Sequence, residues 1–146
     1  LLVATLETAI EDVRTRYLTP VTNALLPYLK AVFPGARVSF RDGFALQSLN
    51  RDDVSEDFAS LSDGTREQLA VLVRMGFAHI LATRGAPVPL VLDDPLVYSD
   101  DERLAAMCGA LNGAAHTYQI VVLTCRRSAF GNLEARDLAL SPWKGS

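Results

Sequence analysis

The chain has 146 residues, of which 49% are hydrophobic and 21% are charged, a composition ordinary for one globular domain with its own core. The formal net charge of −3 gives no overall basic field, so composition does not indicate nucleic-acid binding. No apolar run reaches the roughly 18 residues of a membrane span and no signal peptide is recognisable, so a cytoplasmic protein without a membrane partner is expected.

The first segment carries apolar residues at steps of three and four, which is the spacing of a helix with one apolar face. This stripe consists of Leu2, Leu6, Ala9, Val13 and Tyr17. Its spacing is close to a heptad seam, so it is interpreted either as the last turns of a coiled-coil arm or as an ordinary amphipathic helix. About two heptads are too few to establish a coiled coil, so this stretch alone favours the ordinary helix.

A second helix is predicted over residues 21–33, with a kink at Pro27 and an end at Pro34-Gly35. Its aliphatic and aromatic stripe is expected to belong to the core. A β-hairpin is predicted next, with strands over residues 37–41 and 44–49 joined by the turn signal Asp42-Gly43. The polar stretch 50–60 is predicted to be a loop.

A long helix is predicted from Thr65, preceded by the sequence Leu-Ser-Asp-Gly-Thr-Arg-Glu-Gln at residues 61–68. Ser62 is the expected N-cap, with Thr65 and Gln68 as an alternative capping box. A helix N-terminus binds phosphate because its first N–H groups are unpaired, and Gly64 would let a phosphate come close. The simpler alternative is a capped helix start with no ligand. The predicted buried face consists of Leu69, Leu72, Val73, Gly76, Phe77, Ile80 and Leu81.

Residues 89–93 form a short apolar run that ends in two adjacent carboxylates, Asp93 and Asp94. Such a run is typical of a strand buried on both faces of a parallel sheet, and ligands of open α/β sheets bind at the carboxyl ends of the strands. A metal–nucleotide site needs one carboxylate for Mg²⁺ and one that orients or deprotonates the attacking water. The alternative is a strand that simply enters a polar turn.

The remaining elements are predicted in the order helix, strand and tail. A helix follows Asp100, with a buried face of Leu104, Met107, Cys108 and Leu111. A second buried strand is predicted over residues 120–124, and residues 135–140 are a candidate edge strand. Cys108 and Cys125 are too few for a disulfide framework and are expected to be buried, reduced thiols.

Residues 61–68 resemble the signature motif of ABC-type ATPases, in the form found in SMC/RecN-like heads. The acidic strand is similar to the Walker B motif of these heads, and Ser99-Asp100 to their D-loop, in matching order and spacing over roughly residues 38–140. The resemblance implies an α/β fold, the C-terminal lobe of a P-loop ATPase head, with a mostly parallel sheet flanked by helices. An N-terminal coiled-coil-like helix and a β-hairpin would complete it.

The resemblance also implies that ATP and Mg²⁺ are the cofactors and that ATP lies between two heads. In the family, the signature surface contacts the γ-phosphate of ATP bound to the other head, and the D-loop acid, here Asp100, crosses the interface. The matching signature residues are Ser62, Asp63, Gly64, Thr65 and Gln68. Asp93 would hold Mg²⁺ through water, and Asp94 stands at the position of the general base. Most ABC ATPases have glutamate there, and a reach shorter by about 1 Å predicts slow hydrolysis.

The family's switch histidine follows the next strand, and Arg126, which lies 32 residues after Asp94, is near that position. Arginine donates hydrogen bonds to phosphate but cannot shuttle a proton, because it stays charged. Arg126 is therefore either a phosphate contact with a role in catalysis or a solvated loop residue.

A P-loop needs the sequence Gly-x-x-x-x-Gly-Lys-Ser/Thr, and the two lysines, Lys30 and Lys144, do not stand in that setting. The chain thus resembles the C-terminal lobe alone, an ATPase that is incomplete without its Walker A lobe. Residues 1–36 would be the end of a coiled-coil arm and the helices leading into the head, and residues 37–146 the lobe. The implied partners are the N-terminal Walker A lobe of the same protein, a second head in a homodimer, and DNA.

The favoured function is ATP binding and hydrolysis in DNA repair, chromosome maintenance or phage defence. The alternative is an ATP-gated dimerisation or DNA-bridging module with little or no hydrolysis. A receiver domain also has an acidic pair, but it needs a phospho-acceptor aspartate on another strand and a strand-end lysine, and the sequence offers neither.

Overall fold

A computed structural model of the chain describes residues 3, 5, 8, 9, 12, 16, 18–41 and 45–140. The described residues form the α-helices α1 (Thr19–Val32), α2 (Asp63–Thr83) and α3 (Asp101–Ala114). Their strands are β1 (Arg37–Phe40), β2 (Leu46–Arg51), β3 (Val54–Asp57), β4 (Leu90–Asp93) and β5 (Ile120–Leu123), and short 3-10 helices span Phe58–Ser60 and Arg127–Phe130. Most of the stripe from Leu2 to Tyr17 and the turn signal Asp42-Gly43 lie outside the described residues, so those expectations stay predictions.

The described strands form two separate sheets rather than one mostly parallel sheet. β1, β2 and β3 form an antiparallel sheet in that order, and β4 pairs with β5 in parallel. The prediction of a loop over residues 50–60 was wrong, because β2 continues to Arg51 and β3 returns at once. Asp52 and Asp53 make this tight turn with positive φ angles of 47° and 64°, a conformation that aspartate adopts more readily than most residues.

The first described helix, α1, buries the predicted apolar stripe. Its buried residues are Val21, Leu25, Leu29 and Val32, and Phe33 is buried at its end. Gly76 of α2 permits a close crossing with α1, since a Cβ atom there would lie 3.4 Å from both Leu25 Cβ and the Val21 carbonyl oxygen. The helix extends through Pro27, which is exposed.

The buried face of α2 differs from the predicted one. Leu69, Leu72 and Gly76 are buried as expected, whereas Phe77 and Leu81 are exposed. Val71, Met75 and Ala78 are buried instead. The reason is that α2 packs against α1, α3 and β4 at once, so its buried arc is wider than a single amphipathic stripe and is rotated from it.

The β4–α3–β5 unit supplies the second sheet and the helix that joins its two strands. Leu104, Met107, Cys108 and Leu111 of α3 are buried, as predicted. In β4, Leu90 and Leu92 are buried but Val91 is 53% exposed. The expectation of a strand buried on both faces was therefore wrong for β4, and β5 is likewise only partly buried. Within the described residues, α2 packs against β4, and the face of the pair that carries Val91 and Leu123 is open.

Residues 135–140, predicted as a candidate edge strand, have no regular structure. Leu138 and Leu140 in this tail are exposed. No helix in the described ranges is both long and apolar enough to cross a membrane.

A buried tyrosine links α2 to the segment after α3. The Tyr118 hydroxyl donates to the Met75 carbonyl oxygen at 3.1 Å, and only 4% of the residue is exposed. Burial raises the pKa of Tyr118 above the ordinary tyrosine value, and burial also raises the pKa of nearby Tyr28. The folded state therefore keeps both protons at a pH where the unfolded chain loses them.

The pKa of each tyrosine is higher in the folded state than in the unfolded state. The resulting contribution to stability is therefore fully present below about pH 10 and is lost as the pH rises further. Tyr118→Phe is expected to lower the free energy of unfolding at pH 8 by about 1 kcal/mol, since a hydrogen bond is lost. It is also expected to flatten the loss of stability as pH rises above about 10. Urea unfolding at each pH measures both effects, with Tyr98→Phe on an exposed tyrosine as the control. An unchanged dependence of stability on pH would contradict this account of Tyr118.

Candidate functional site

The parallel pairing of β4 and β5 brings their carboxyl ends together at one edge. Asp93 is opposite Leu123 in the register, and the Asp94 N–H donates to the Leu123 carbonyl oxygen at 2.8 Å. Both aspartates are exposed. The structure thus confirms that the acidic pair lies at the carboxyl edge of a parallel pair of strands, which is the place expected of ligand-binding groups in α/β sheets.

The Asp94 carboxylate is held by Cys125, which is the second residue after β5. The Cys125 N–H donates to Asp94 Oδ1 at 3.2 Å, and Cys125 Sγ lies 3.7 Å and 3.9 Å from the two carboxylate oxygens. Asp94 itself has a positive φ of 39°, an uncommon conformation for a residue other than glycine. These contacts fix the carboxylate at the sheet edge.

Cys125 was expected to be a buried thiol, and that expectation was wrong, because the residue lies beyond the end of β5 and is exposed. Cys108 is buried as expected, and burial raises its thiol pKa. The contact of Cys125 with Asp94 was also missed from the sequence. Arg126 was selected because it lies 32 residues after Asp94, and Cys125 is the residue immediately before it.

Arg126 reaches the same edge from β5. Its Nη2 donates to the Pro95 carbonyl oxygen at 3.4 Å, and its N–H donates to Thr124 Oγ1 at 3.0 Å. The residue is half-buried. The structure therefore brings Arg126 beside the segment that carries Asp94, while a contact with phosphate stays a prediction.

The start of α2 is capped as predicted. Ser62 is the N-cap, and its Oγ accepts from the Thr65 N–H at 3.3 Å and lies 2.9 Å from Thr65 Oγ1. Asp63 pairs with Arg66 one turn further along the helix. Ser62 and Asp63 are exposed, so this helix start is accessible to a second molecule.

Gly64 and Gln68, in contrast, face the loop after β4. A Cβ atom at Gly64 would lie 2.4 Å from the Tyr98 carbonyl oxygen, which is closer than any side chain tolerates. Gln68 is 2% exposed, and its Nε2 donates to Ser99 Oγ at 2.7 Å. These two predicted phosphate-binding positions therefore contact the chain's own loop, and a buried amide in this state is not available to a ligand.

The predicted D-loop acid, Asp100, is the N-cap of α3. Its Oδ1 accepts from the Arg103 N–H at 2.8 Å, and the residue is exposed. Within the described parts of the chain, no three His, Cys, Asp or Glu side chains cluster closely enough to hold a metal by themselves. A cation at the acidic edge would thus need ligands beyond the protein, as Mg²⁺ has when substrate phosphates and water complete its shell.

No protein-family model matches the chain. Uncharacterised proteins of Mycobacterium bovis and of two Mycobacterium tuberculosis strains are each 32% identical to it over 125 residues. Each alignment covers 85% of this chain and 14% of the relative. The chain therefore spans about one-seventh of the length of the curated relatives it matches.

Solved SMC heads share the fold. An SMC head bound to the C-terminal winged-helix domain of ScpA matches with a TM-score of 0.65 and 17% identity, over 85% of this chain and 40% of that one. A structure from work on ATP-driven dimerisation and DNA-stimulated activation of SMC ATPases matches with a TM-score of 0.63 and 17% identity, over 84% and 78%. A Pyrococcus yayanosii head with coiled coil and joint gives 0.62 and 18%, over 91% and 27%. The chain therefore has the fold of SMC ATPase head domains.

Proposed function

We propose that this chain is the C-terminal lobe of an SMC-type ATPase head, which binds ATP and Mg²⁺ between two heads and hydrolyses the ATP. The observation that carries the proposal is the β4–β5 edge, where Asp93 and Asp94 lie beside Cys125 and Arg126. The fold similarity to SMC heads supports it.

The acidic edge fits a nucleotide-bound magnesium ion. Asp93 ends β4 with an exposed carboxylate, and Mg²⁺ commonly takes one or two protein carboxylates, water and substrate phosphates. When bound, the ion would neutralise charge on the β- and γ-phosphates. Asp93 is the residue we assign to hold it, through water.

Asp94 is assigned to orient and deprotonate the attacking water. A general base must lie within hydrogen-bonding distance of the proton that it removes. The Cys125 N–H fixes Asp94 Oδ1, so the carboxylate is oriented before a substrate arrives. Because the Cys125 N–H belongs to the segment after β5, movement of that segment would also move the base.

The start of α2 is assigned to the γ-phosphate of ATP bound by the neighbouring head. Ser62 and Asp63 are exposed there, and the first turn of a helix attracts phosphate through its N–H groups and dipole. Thr65 shares the cap with Ser62. Asp100, exposed at the start of α3, is assigned to the same interface.

The open face of the β4–β5 pair is assigned to the N-terminal Walker A lobe of the same protein. Val91, Val97 and Leu123 are exposed apolar residues in and after these strands, and an exposed apolar patch indicates an interaction surface. Residues 1–36 would lead in from a coiled-coil arm and residues 37–146 form the lobe. A homodimer of heads acting on DNA, in repair, chromosome maintenance or defence, is the process we propose.

A second candidate function is ATP-gated dimerisation or DNA bridging with little hydrolysis. Asp94 is shorter than the family's usual glutamate, and the Arg126 guanidinium bonds to the Pro95 carbonyl oxygen. Both observations favour slow chemistry. ATP-dependent association of heads without release of phosphate would select this function over the first.

ATP turnover by the full-length protein and by its Asp94→Asn variant tests the proposal. We expect the wild-type protein to hydrolyse ATP and the substitution to lower its turnover by about 100-fold or more. A wild-type protein that neither associates on ATP nor releases phosphate would overturn both candidate functions.

A further inference from the structure

The loop that follows β4 is held by one turn of α2. The Tyr98 N–H donates to Glu67 Oε2 at 3.3 Å, and the Tyr98 carbonyl oxygen packs against Gly64. One residue later, Ser99 Oγ accepts from Gln68 Nε2 at 2.7 Å. Two consecutive loop residues are thus tied to the first turns of the helix that Ser62 caps.

The carbonyl of the same amide reaches α3. Gln68 Oε1 accepts from Arg103 Nη1 at 3.5 Å, and the Arg103 guanidinium stacks over the Phe33 ring at 4.8 Å. Both ends of the Gln68 side chain are therefore engaged, one with the loop and one with α3. At 2% exposure, leaving either end unpaired would cost free energy, because a buried polar group without a partner is destabilising.

The loop conformation itself needs such support. Leu96 has a positive φ of 63° and is fully buried. A leucine in this region is strained by about 1 kcal/mol or more and keeps the conformation only when its surroundings impose it. Core packing holds the loop at Leu96, and α2 holds it at Tyr98 and Ser99.

We infer that Gln68 is a positioning residue, which locks the loop 96–100 to the start of α2 so that the two segments move as one body. The inference rests on the proposed function, in which Ser62 and Asp100 both face the neighbouring head. Gln68 then contributes to turnover by fixing the relative position of these two surfaces, and it contacts no nucleotide. This assignment replaces the expectation that Gln68 binds phosphate.

A double-mutant cycle in the full-length protein tests the coupling. Gln68→Met preserves side-chain size and removes the amide, and Ser99→Ala removes its partner. Ser99→Ala is expected to lower ATP turnover about tenfold, and Gln68→Met at least as much, because it also removes the contact with Arg103. The double variant is expected to lose no more than Gln68→Met alone, because the Gln68–Ser99 contact is already broken. Gln47→Met is the matched control on an exposed strand residue and should leave turnover unchanged. Losses that multiply in the double variant, or wild-type turnover in Gln68→Met, would overturn the inference.

Amide hydrogen exchange separates failure of the inference from failure of the proposed function. Without nucleotide, Gln68→Met is expected to speed exchange over residues 97–100 about tenfold or more, while Gln47→Met does not. Unchanged exchange over these residues would overturn the lock even if turnover fell. If the wild-type protein has no ATP turnover, the proposed function fails, and the exchange rates alone decide whether Gln68 holds the loop.

Discussion

Replacing Asp94 with asparagine is expected to lower ATP turnover of the full-length protein by about 100-fold or more, since loss of a general base typically costs that much. The amide keeps the shape of the carboxylate and can still accept from the Cys125 N–H, which donates to Asp94 Oδ1 at 3.2 Å. It cannot take a proton from water. The variant should therefore fold normally, and steady-state phosphate release measures the loss.

ATP-dependent association of heads should survive in Asp94→Asn, because the substitution removes a step after binding. Asp101→Asn is the matched control, the same chemical change on an exposed aspartate in the first turn of α3. Its turnover should stay close to that of the wild type. Undiminished turnover in Asp94→Asn would show that another group activates the water.

Replacing Gly64 with alanine is expected to produce the largest structural effect. The added methyl group would lie 2.4 Å from the Tyr98 carbonyl oxygen, and a backbone atom cannot move aside as a flexible side chain can. Overpacking of this kind costs about 1–3 kcal/mol. Thermal or urea unfolding should show that loss, and turnover should fall because α2 and the loop after β4 are pushed apart.

Gly109→Ala is the matched control for Gly64→Ala. Gly109 lies within α3, is exposed, and has open space where its Cβ would be. Because glycine is a poor helix former, this change is expected to stabilise the protein by about 0.5–1 kcal/mol. Equal unfolding free energies for the two alanine variants would contradict the close packing of Gly64 against Tyr98.

Elements governed by local signals were predictable from the sequence. The buried stripe of α1, the buried face of α3 and the Ser62 cap follow from apolar spacing and from the short-range chemistry of a serine oxygen near a helix start. The position of Asp93 and Asp94 at the carboxyl end of a strand was also predictable, because a short apolar run predicts the strand and the two acids stand at its end.

Features that depend on contacts distant in sequence were not predictable in the same way. The pairing of Cys125 with Asp94 requires that β4 and β5 be neighbours in register. The packing of Tyr98 on Gly64 requires the loop after β4 to fold back on α2.

The three-stranded antiparallel sheet was missed for a different reason. Asp52 and Asp53 were interpreted as part of a polar loop, although both adopt the left-handed conformation of a tight turn.

Mixing two inactive variants tests most directly whether each ATP is shared between two heads. Ser62→Asp keeps a capping side chain and places a negative charge where the neighbouring head's phosphate would be. It should be inactive alone, as should Asp94→Asn. In a freely exchanging equal mixture, about half of the dimers are mixed and each mixed dimer has one intact site of two, so turnover should recover to about one quarter of the wild-type value. No recovery above the separate variants would contradict an interface site, because it would mean that Ser62 and Asp94 of one head act on that head's own nucleotide, or that they act on none.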